Sequence, residues 1–323
     1  MASKKCKYCK SEIDKKATVC PHCQKKQAVK GSGCLLTIGI LFLGGLIIGA
    51  LGGGNNDEDK KTDITVDSGA TSVAEDNEFT IEEQVLWESD GVKVTATGVE
   101  HSSIFGDSIK ILVENNSDKD IRLDVEDIIV NDYMIDSYAY VEVSAGNKSN
   151  DEITLSTNDL EASGIDTIGK IECYMKILDS DTYDTINTSD CITMKTSDFD
   201  SMDVTNNMDG TLLFEHDGVK IVGKYVDEDS FWGMSVLFYI ENNSDQIVRI
   251  SADDVAVNGF MITESFSQIV YPNKKSMSNM VLFDSSLEEN GVTEINEIEL
   301  VFSVRDQDYH ELFSSDTINF TIK

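Results

Sequence analysis

Proline and histidine are scarce in this chain, which has two prolines and four histidines among 323 residues. With so little proline, neither repeat of the long C-terminal part, residues 85–197 and 212–323, is a proline-braced linker. The sequence also lacks the Gly-x-Ser-x-Gly turn of a nucleophilic serine and any glycine-rich phosphate loop. Three histidines, His101, His216 and His310, lie far apart and form no recognisable catalytic set. These absences predict that the protein is not an enzyme.

Positive charge is also in deficit, with 26 basic and 59 acidic residues and a net charge of −33. Residues 1–33 go against this trend, because nine lysines and two acids give them +7, and residues 34–54 are uncharged. Residues 55–323 must therefore carry −40. A surface this acidic repels polyanions and attracts cations. The charge predicts a partner with cationic groups and argues against nucleic acid.

An uncharged apolar run, Cys34–Leu51, follows the basic N-terminus, and glycines continue it to Gly54. An α-helix of this length covers roughly 27 Å, close to the hydrocarbon core of a bilayer. Lysines near one end of a span hold that end in the cytoplasm. We predict a transmembrane helix at 34–54, with the N-terminus inside and the long C-terminal part outside. A cleaved signal peptide is disfavoured because its basic region would be too long.

Small residues recur at four-residue spacing within this run, at Gly45, Gly49 and Gly53. Such pairs let two membrane helices approach closely, so a homodimer through this helix is one expectation. Glycine is also frequent in membrane helices that do not dimerise. The sequence leaves both interpretations open.

Four of the seven cysteines form two C-x-x-C pairs within residues 1–30. Cys6 with Cys9 and Cys20 with Cys23 offer four thiolates, which complete a closed tetrahedral zinc site. A segment this short cannot hold itself together by burial, so the metal must supply its folding energy. We predict a cytoplasmic zinc ribbon with structural Zn2+. A redox dithiol is disfavoured because it needs one C-x-x-C, usually in a βαβ context.

Residues 55–84 are rich in Asn, Asp, Ser and Thr and poor in large apolar residues. A segment of this composition cannot bury enough surface to fold, so we predict a disordered acidic linker. A flexible coil of this length spans on the order of 30 Å. Its expected role is to lift the following part away from the lipid headgroups.

The outer part contains one domain twice, at a constant offset of 127 residues. Trp87–Val94 matches Phe214–Ile221, and the sequence Glu-Asn-Asn-Ser-Asp occurs at 114–118 and again at 241–245. The register holds over most of the domain, and one residue is lost before the last strand. The sequence therefore predicts two copies of one fold.

The copies are a first repeat at residues 85–197 and a second repeat at residues 212–323, and both have the pattern of β-strands. Apolar residues alternate with others over 109–113 and 171–177, and the equivalent positions of the second repeat do the same. Asn, Asp and Gly occupy the turns. About seven or eight short strands in about 110 residues predict an immunoglobulin-like β-sandwich for each repeat. One helical turn is expected at 159–163.

The two repeats differ on the outward face of one strand. Lys110 and Leu112 of the first repeat correspond to Leu237 and Tyr239 of the second. An apolar outer face indicates a contact with the other repeat or with a partner, or a face covered by a loop. Trp232 is in phase with the apolar residues of this strand, so we expect it in the core rather than on a ligand platform.

Two cysteines lie on the outer side of the membrane, where a disulfide is permitted. Cys173 is in phase with the buried side of its strand, whereas Cys191 is out of phase and points outward. Their counterparts, Leu300 and Thr317, need no bridge. We expect Cys173 to be a small buried hydrophobe and not half of a disulfide.

Acidic side chains cluster at equivalent places in the two repeats. They are Asp179, Asp181 and Asp184 in the first, and Asp306, Asp308 and Glu311 in the second. Calcium takes six to eight oxygen ligands in a flexible cage, so Ca2+ is one expectation for these acids. The spacing differs from that of an EF-hand loop, and the alternative is a solvated acidic surface.

The order of zinc ribbon (Cys6, Cys9, Cys20, Cys23), single span and extracytoplasmic β-domains resembles a group of Gram-positive membrane proteins. That group includes the teicoplanin-resistance-associated membrane protein. The strand end Val113–Asp118 is similar to those of Ig-like domains in bacterial lipoproteins and surface proteins. The resemblance implies a role at the cell envelope, in sensing or wall homeostasis, and it transfers no ligand residue.

Two functions remain open from the sequence. In the first, a membrane-anchored envelope protein binds or senses a partner through its acidic outer tandem and reports inward through the ribbon. In the second, the tandem is a passive structural or adhesive surface stalk, and the ribbon only caps its inner end. A ribbon that recruits a cytosolic partner favours the first, and loss of the ribbon without consequence favours the second.

Overall fold

A computed structural model describes residues 3–5, 12–14, 21–22, 78–102, 106–202, 209–227 and 233–321. The chain divides into two compact units, Met1–Thr71 and Ser72–Lys323. Among the described residues, no helix is long and apolar enough to cross a bilayer. The transmembrane helix predicted at 34–54 and most of the predicted linker lie outside those residues.

The N-terminal unit has a β-hairpin in its described residues. Strand β1 (Ser3–Lys5) pairs antiparallel with β2 (Glu12–Asp14), with Lys4 opposite Ile13. The first C-x-x-C pair lies between these strands in the sequence. Two three-residue strands bury too little surface to be stable alone, so the hairpin needs a further source of folding energy.

The first repeat consists of two antiparallel sheets that enclose one hydrophobic core. Its strands are β3 (Gln84–Ser89), β4 (Val92–Glu100), β5 (Ser108–Asn115), β6 (Ile121–Val130), β7 (Tyr133–Met134), β8 (Ala139–Val143), β9 (Lys148–Thr154), β10 (Lys170–Asp179), β11 (Thr185–Thr188) and β12 (Ile192–Lys195). One sheet has the order β3-β4-β5-β9. In the other, β6 pairs with β7, β8 and β10, and β10 also pairs with β11 and β12.

A short helix, α1 (Thr157–Ser163), connects β9 with β10 and confirms the helical turn expected at 159–163. The side chain of Ser156 caps the helix by accepting a hydrogen bond from the backbone N–H of Asp159. Gly164 ends it in the left-handed conformation at φ 70°. An N-cap serine and a C-terminal glycine are the usual limits of a helix, so this element is fixed by local sequence.

The second repeat has the same strand order. Its elements are β13 (Thr211–His216), β14 (Val219–Asp227), β15 (Gly233–Asn242), β16 (Val248–Val257), β17 (Phe260–Met261), β18 (Glu264–Ser265), β19 (Ser267–Val270), β20 (Lys274–Phe283), α2 (Asp284–Glu289), β21 (Ile298–Arg305), β22 (Glu311–Ser314) and β23 (Ile318–Phe320). The order β13-β14-β15-β20 repeats β3-β4-β5-β9, and β16 pairs with β17, β19 and β21 as β6 pairs with β7, β8 and β10. The protein is therefore mostly β, with two copies of one two-sheet arrangement.

Residues at equivalent positions of the two repeats also have similar backbone angles. Asp127 and Asp254 have φ of 50° and 53°, each at a bulge in the equivalent strands β6 and β16. Tyr183 and Tyr309 are also equivalent, with φ of 62° and 66°, but the offset between them is 126 residues where it is 127 elsewhere. The residue that the second repeat lacks is therefore missing from the turn after β21.

The core of the first repeat begins before the sequence boundary at residue 85. Phe79 and Ile81 are buried among the core residues, although both were assigned to the linker. Ser197 donates its backbone N–H to the Thr80 carbonyl at 2.9 Å, and Thr80 donates to the Ser197 hydroxyl at 3.0 Å. Two apolar residues in a polar segment give no periodic signal, so the sequence could not show that residues 79–81 pack onto the repeat.

The two repeats share one sheet. Strand β7 pairs in parallel with β20, with Tyr133 opposite Lys275 and Met134 opposite Ser276. The backbone N–H of Lys275 donates to the Asp132 carbonyl at 2.9 Å. This pairing joins the β6 sheet of the first repeat to the β15 sheet of the second, which gives a sheet of 11 strands.

Candidate functional site

The predicted zinc ligands, Cys6, Cys9, Cys20 and Cys23, lie outside the described residues. His22, inside the second C-x-x-C pair, is exposed. The helix face expected to form a homodimer and the aromatic pair at 231–232 also lie outside the described residues. The Zn2+ ribbon, the dimer and the core position of Trp232 stay predictions.

The apolar outer face of the second repeat, Leu237 and Tyr239 on β15, packs against the first repeat. Both side chains are buried, together with Val222 and Met277, in the hydrophobic cluster of the first repeat. Tyr133 on β7 meets Tyr239 edge-on, with ring centroids 6.5 Å apart. The predicted contact surface is confirmed, and what it contacts is the other repeat.

A network of partly buried charges lies beside this apolar contact. Lys274 Nζ of the second repeat donates to Asp132 Oδ1 at 2.7 Å and to Glu172 Oε2 at 2.6 Å. Lys170 Nζ lies 2.7 Å and 3.2 Å from the same two atoms. Burial alone would raise the pKa of Asp132, but its hydrogen bonds from the two lysines hold that pKa below the usual range. Separation of the repeats would leave the two carboxylates with one lysine between them.

A tyrosine pair continues the contact on the far side of this network. The Tyr271 hydroxyl donates to Asp127 Oδ2 at 2.8 Å, and its ring stacks on Tyr174 at 4.9 Å. Burial and the neighbouring carboxylate raise the pKa of Tyr271, so the phenol stays protonated and acts as a donor. The apolar face, the lysine network and the tyrosine pair together fix the orientation of the repeats.

Three exposed tyrosines gather around one arginine on the β6 sheet of the first repeat, and we call this group the tyrosine patch. Tyr138, Tyr140 and Tyr183 are 52, 54 and 57% exposed. The Arg122 guanidinium lies 4.2 Å from the ring centroid of Tyr140 and 5.9 Å from that of Tyr183, and it donates to the hydroxyl of Tyr138. Arg122 is itself held by Asp124, whose hydrogen bond raises the pKa of the guanidinium.

The tyrosine patch exists in only one repeat. The positions of Tyr138 and Tyr140 are serines in the second repeat, Ser265 and Ser267. There Arg249 lies over Tyr309 alone, at 4.6 Å. Sequence reasoning missed the patch because Tyr183 comes from the turn before β11, far along the chain from β8. The only sequence signal was the difference between aromatic and serine residues at matched positions.

The acids expected to bind calcium are engaged differently in the two repeats. Asp179 accepts hydrogen bonds from the backbone of Asp181 and Thr182 and from Lys119 Nζ, and these hydrogen bonds hold its pKa below the usual value. In the second repeat Asp306 and Asp308 lie near His310, not near Glu311, with ligand atoms within 4.8 Å of one another. Asp306 already contacts the His310 ring at 3.1 Å. Calcium binding stays a prediction.

Cys173 and Cys191 are both free thiols, the first buried and the second exposed, as the strand pattern predicted. Burial raises the pKa of the Cys173 thiol to about 12. A thiol with so high a pKa has almost no thiolate at neutral pH and is unreactive. Cys173 therefore acts as a packing residue.

Comparison with known proteins assigns no family. No family model matches the chain, and no curated protein matches it. Among solved structures, it is similar to the YadV chaperone at 10% identity, with 67% of this chain and 92% of that one covered and a TM-score of 0.22. It is also similar to the Salmonella enterica SafA pilin in complex with the SafB chaperone, at 13% identity, 73% and 98% coverage and a TM-score of 0.19. These TM-scores are too low to assign the chain to either fold.

Proposed function

We propose that this is a single-pass, membrane-anchored cell-envelope protein whose acidic, immunoglobulin-like outer tandem binds or senses a partner. A structural zinc ribbon at the inner end completes the proposal, and no catalytic role is assigned. The observation that carries it is the tyrosine patch. Tyr and Arg are enriched where proteins bind partners, because they bury much area with few rotatable bonds.

The charge of the outer part supports a partner with cationic groups. Residues 55–323 carry −40. Exposed acids occur next to the tyrosine patch: Glu142 lies opposite Arg122 on the paired strand, and Asp181 and Asp184 are close to Tyr183 in the same turn. Aromatic rings attract cations over their faces, and the acids around them strengthen that attraction. Cationic peptides are therefore the first ligand class to test, ahead of muropeptides and Ca2+.

The alternative function is a passive structural or adhesive surface stalk. The specific observation in its favour is the junction, where one sheet of 11 strands contains strands of both repeats. A stalk needs rigidity and no ligand. The two functions differ in one measurable property, namely whether a soluble ligand stabilises the folded tandem.

The test is the melting temperature of the full chain in detergent, measured with cationic peptides, muropeptides or Ca2+. A ligand that binds only the folded state at 100 times its dissociation constant adds about 2.7 kcal/mol to the free energy of unfolding. We expect a rise with cationic peptides in the wild type and none in the variant Y138S/Y140S. The two serines are the residues of the second repeat at these positions, so the fold tolerates them.

A control variant, Y309S, removes the exposed tyrosine at the position of the second repeat that corresponds to Tyr183. We expect this variant to respond to the peptide as the wild type does. If no ligand class shifts the melting temperature of the wild type, the stalk replaces the binding function. If a ligand shifts wild type and Y138S/Y140S equally, the tandem binds it elsewhere and the patch is not the site.

A further inference from the structure

The edge of strand β20 is covered at its two ends and open in the middle. Along one side β20 pairs with β15 over its whole length. Along the other side, β7 pairs only with Lys275 and Ser276, and β18 pairs only with Val281 and Leu282. In the described part of the chain, no strand pairs with residues 277–280 on this side.

Two residues of β20, Met277 and Asn279, have their backbone polar groups on the side of this gap. The N–H of Lys275 donates to Asp132 on the open side, and the N–H of Phe283 donates to the Thr263 carbonyl on the same side. Because successive residues of a strand alternate in direction, the N–H and C=O groups of Met277 and Asn279 point the same way. The parallel pairing of Ser276 with Met134 uses the N–H of Met277, which donates to the Met134 carbonyl. The gap therefore offers one donor, the N–H of Asn279, and two acceptors, the carbonyls of Met277 and Asn279, over about 13 Å of strand.

The gap lies at the bottom of a cleft between the two repeats, with a volume of about 440 Å³. One wall is formed by residues 134–137 and Asp159 of the first repeat, and the other by residues 265–269 of the second. Two walls admit a single extended chain but not the edge of a second sheet. The equivalent edge strand of the first repeat, β9, pairs with β5 alone and with no strand of the other repeat among the described residues.

The charges of the cleft select its occupant. Asp127, Asp136 and Asp159 contribute three carboxylates, against one guanidinium from Arg249. Arg249 Nε is buried and has no hydrogen-bond partner within the described residues. A peptide carbonyl would satisfy this donor, and basic side chains would complement the carboxylates. Asp159 accepts the backbone N–H of Asp136 at 2.8 Å, and burial raises the pKa of its carboxyl group.

We propose that the cleft between the repeats binds an extended, basic peptide segment, whose backbone pairs with Met277 and Asn279 of β20. Backbone pairing supplies the affinity in this mode of recognition, and side-chain pockets supply the preference. The proposal does not rest on the tyrosine patch, because the cleft and the patch share none of their residues. Each site can therefore fail without the other.

The test measures fluorescence anisotropy of a labelled peptide of alternating lysine and valine with the full chain in detergent. We expect saturable binding by this peptide, and none by the same peptide with alternate backbone nitrogens methylated or with glutamate in place of lysine. N279P removes one open N–H without touching the β15 ladder, so we expect about tenfold weaker binding. The matched control is E152P, at the equivalent edge position of β9, which should bind as the wild type does.

Amide hydrogen exchange of the wild type gives a second readout that needs no variant. Bound peptide should slow exchange at Asn279 and leave the edge of β9 unchanged. Equal binding of the methylated peptide, or wild-type binding by folded N279P, would overturn the proposal. So would loss of binding in Y138S/Y140S with N279P unaffected, since the peptide would then occupy the tyrosine patch.

Discussion

Asn115 and Asn242 end equivalent strands with the same four hydrogen bonds. The Asn115 amide donates to the carbonyls of Lys119 and Val143, both at 2.8 Å. Its Oδ1 accepts from the backbone N–H and the hydroxyl of Ser117. Asn242 makes the corresponding bonds around Ser244. The repeated Glu-Asn-Asn-Ser-Asp sequence is therefore a structural device, in which a buried amide holds the turn.

Asn115→Ala should cost about 3 kcal/mol in the free energy of unfolding, because it removes the amide donor of the Val143 and Lys119 carbonyls and leaves Lys119 only the hydroxyl of Ser117. Asn116 is exposed, and Asn116→Ala should change that free energy by less than about 0.5 kcal/mol. Urea denaturation of the two variants checks the difference. Equal values for both would show that the buried amide contributes nothing special.

His101 holds the N-terminal segment onto the first repeat. Its Nδ1 lies 2.9 Å from Asp107 Oδ1, and its Nε2 lies 2.8 Å from the Phe79 carbonyl. Burial alone would lower the pKa of His101, but the two hydrogen bonds and the charge of Asp107 raise it above the usual value. A doubly protonated ring donates to both acceptors, so the charged form fits this position best.

The raised pKa of His101 gives a pH dependence with a definite sign. The stability from the charged ring is fully present below the unfolded pKa of about 6.5 and is lost as pH rises through the higher folded pKa. We expect the free energy of unfolding to be higher for the wild type than for His101→Asn at pH 5.5. The difference between the two proteins should be about 1 kcal/mol larger at pH 5.5 than at pH 9. Unfolding curves of both proteins across this range provide the test, and a constant difference would contradict it.

At the scale of elements, the junction depends on the apolar face of β15. Leu237 is 2% exposed against the first repeat, and the equivalent residue of the first repeat is Lys110. Leu237→Lys would bury an unpaired charge, so we expect the repeats to separate. Calorimetry should then show two unfolding transitions where the wild type shows one.

The control for this prediction is Leu112→Lys. Leu112 is half-buried on the equivalent face of the first repeat, away from the junction. The same substitution there adds the same charge to the same type of strand without separating the repeats. Two transitions in both variants, or one in both, would show that the face of β15 does not hold the junction.

The elements differ in how far the sequence could predict them. Alternation and the offset predicted the long strands, and Ser156 and Gly164 mark α1 by ordinary capping. Strand β7 has two residues, too few for any periodicity, and its parallel partner β20 lies in the other repeat. The cleft and the tyrosine patch depend on such long-range contacts. The apolar residue Leu237, at a position where the first repeat has a lysine, indicated a contact. The sequence could not show which surface Leu237 would contact.

At the scale of the whole molecule, the proposed zinc ribbon and the outer tandem should respond independently to metal removal. The chain divides into separate compact units at residue 71. We expect Cys20→Ser, or a strong chelator, to remove one equivalent of Zn2+ and unfold the ribbon, since the metal supplies its folding energy. The melting temperature of the tandem should not change. Metal analysis and calorimetry of the full chain check both, and retention of zinc by Cys20→Ser would contradict a four-cysteine site.

The two ends of the tandem are different. The second repeat still exposes its own copy of the surface with which the first repeat contacts it, and the first repeat still exposes its own copy of the surface with which the second repeat contacts it. Phe260 and Met261 are 48 and 62% exposed, whereas their equivalents at the junction, Tyr133 and Met134, are 2 and 6% exposed. The matching surface of a second molecule has Lys110 at the position of Leu237, and the charge of this lysine resists burial. We expect that lysine to prevent end-to-end addition of molecules, which an apolar residue at this position would permit. Lys110→Leu should therefore turn a protein of fixed size into one whose sedimentation grows with concentration.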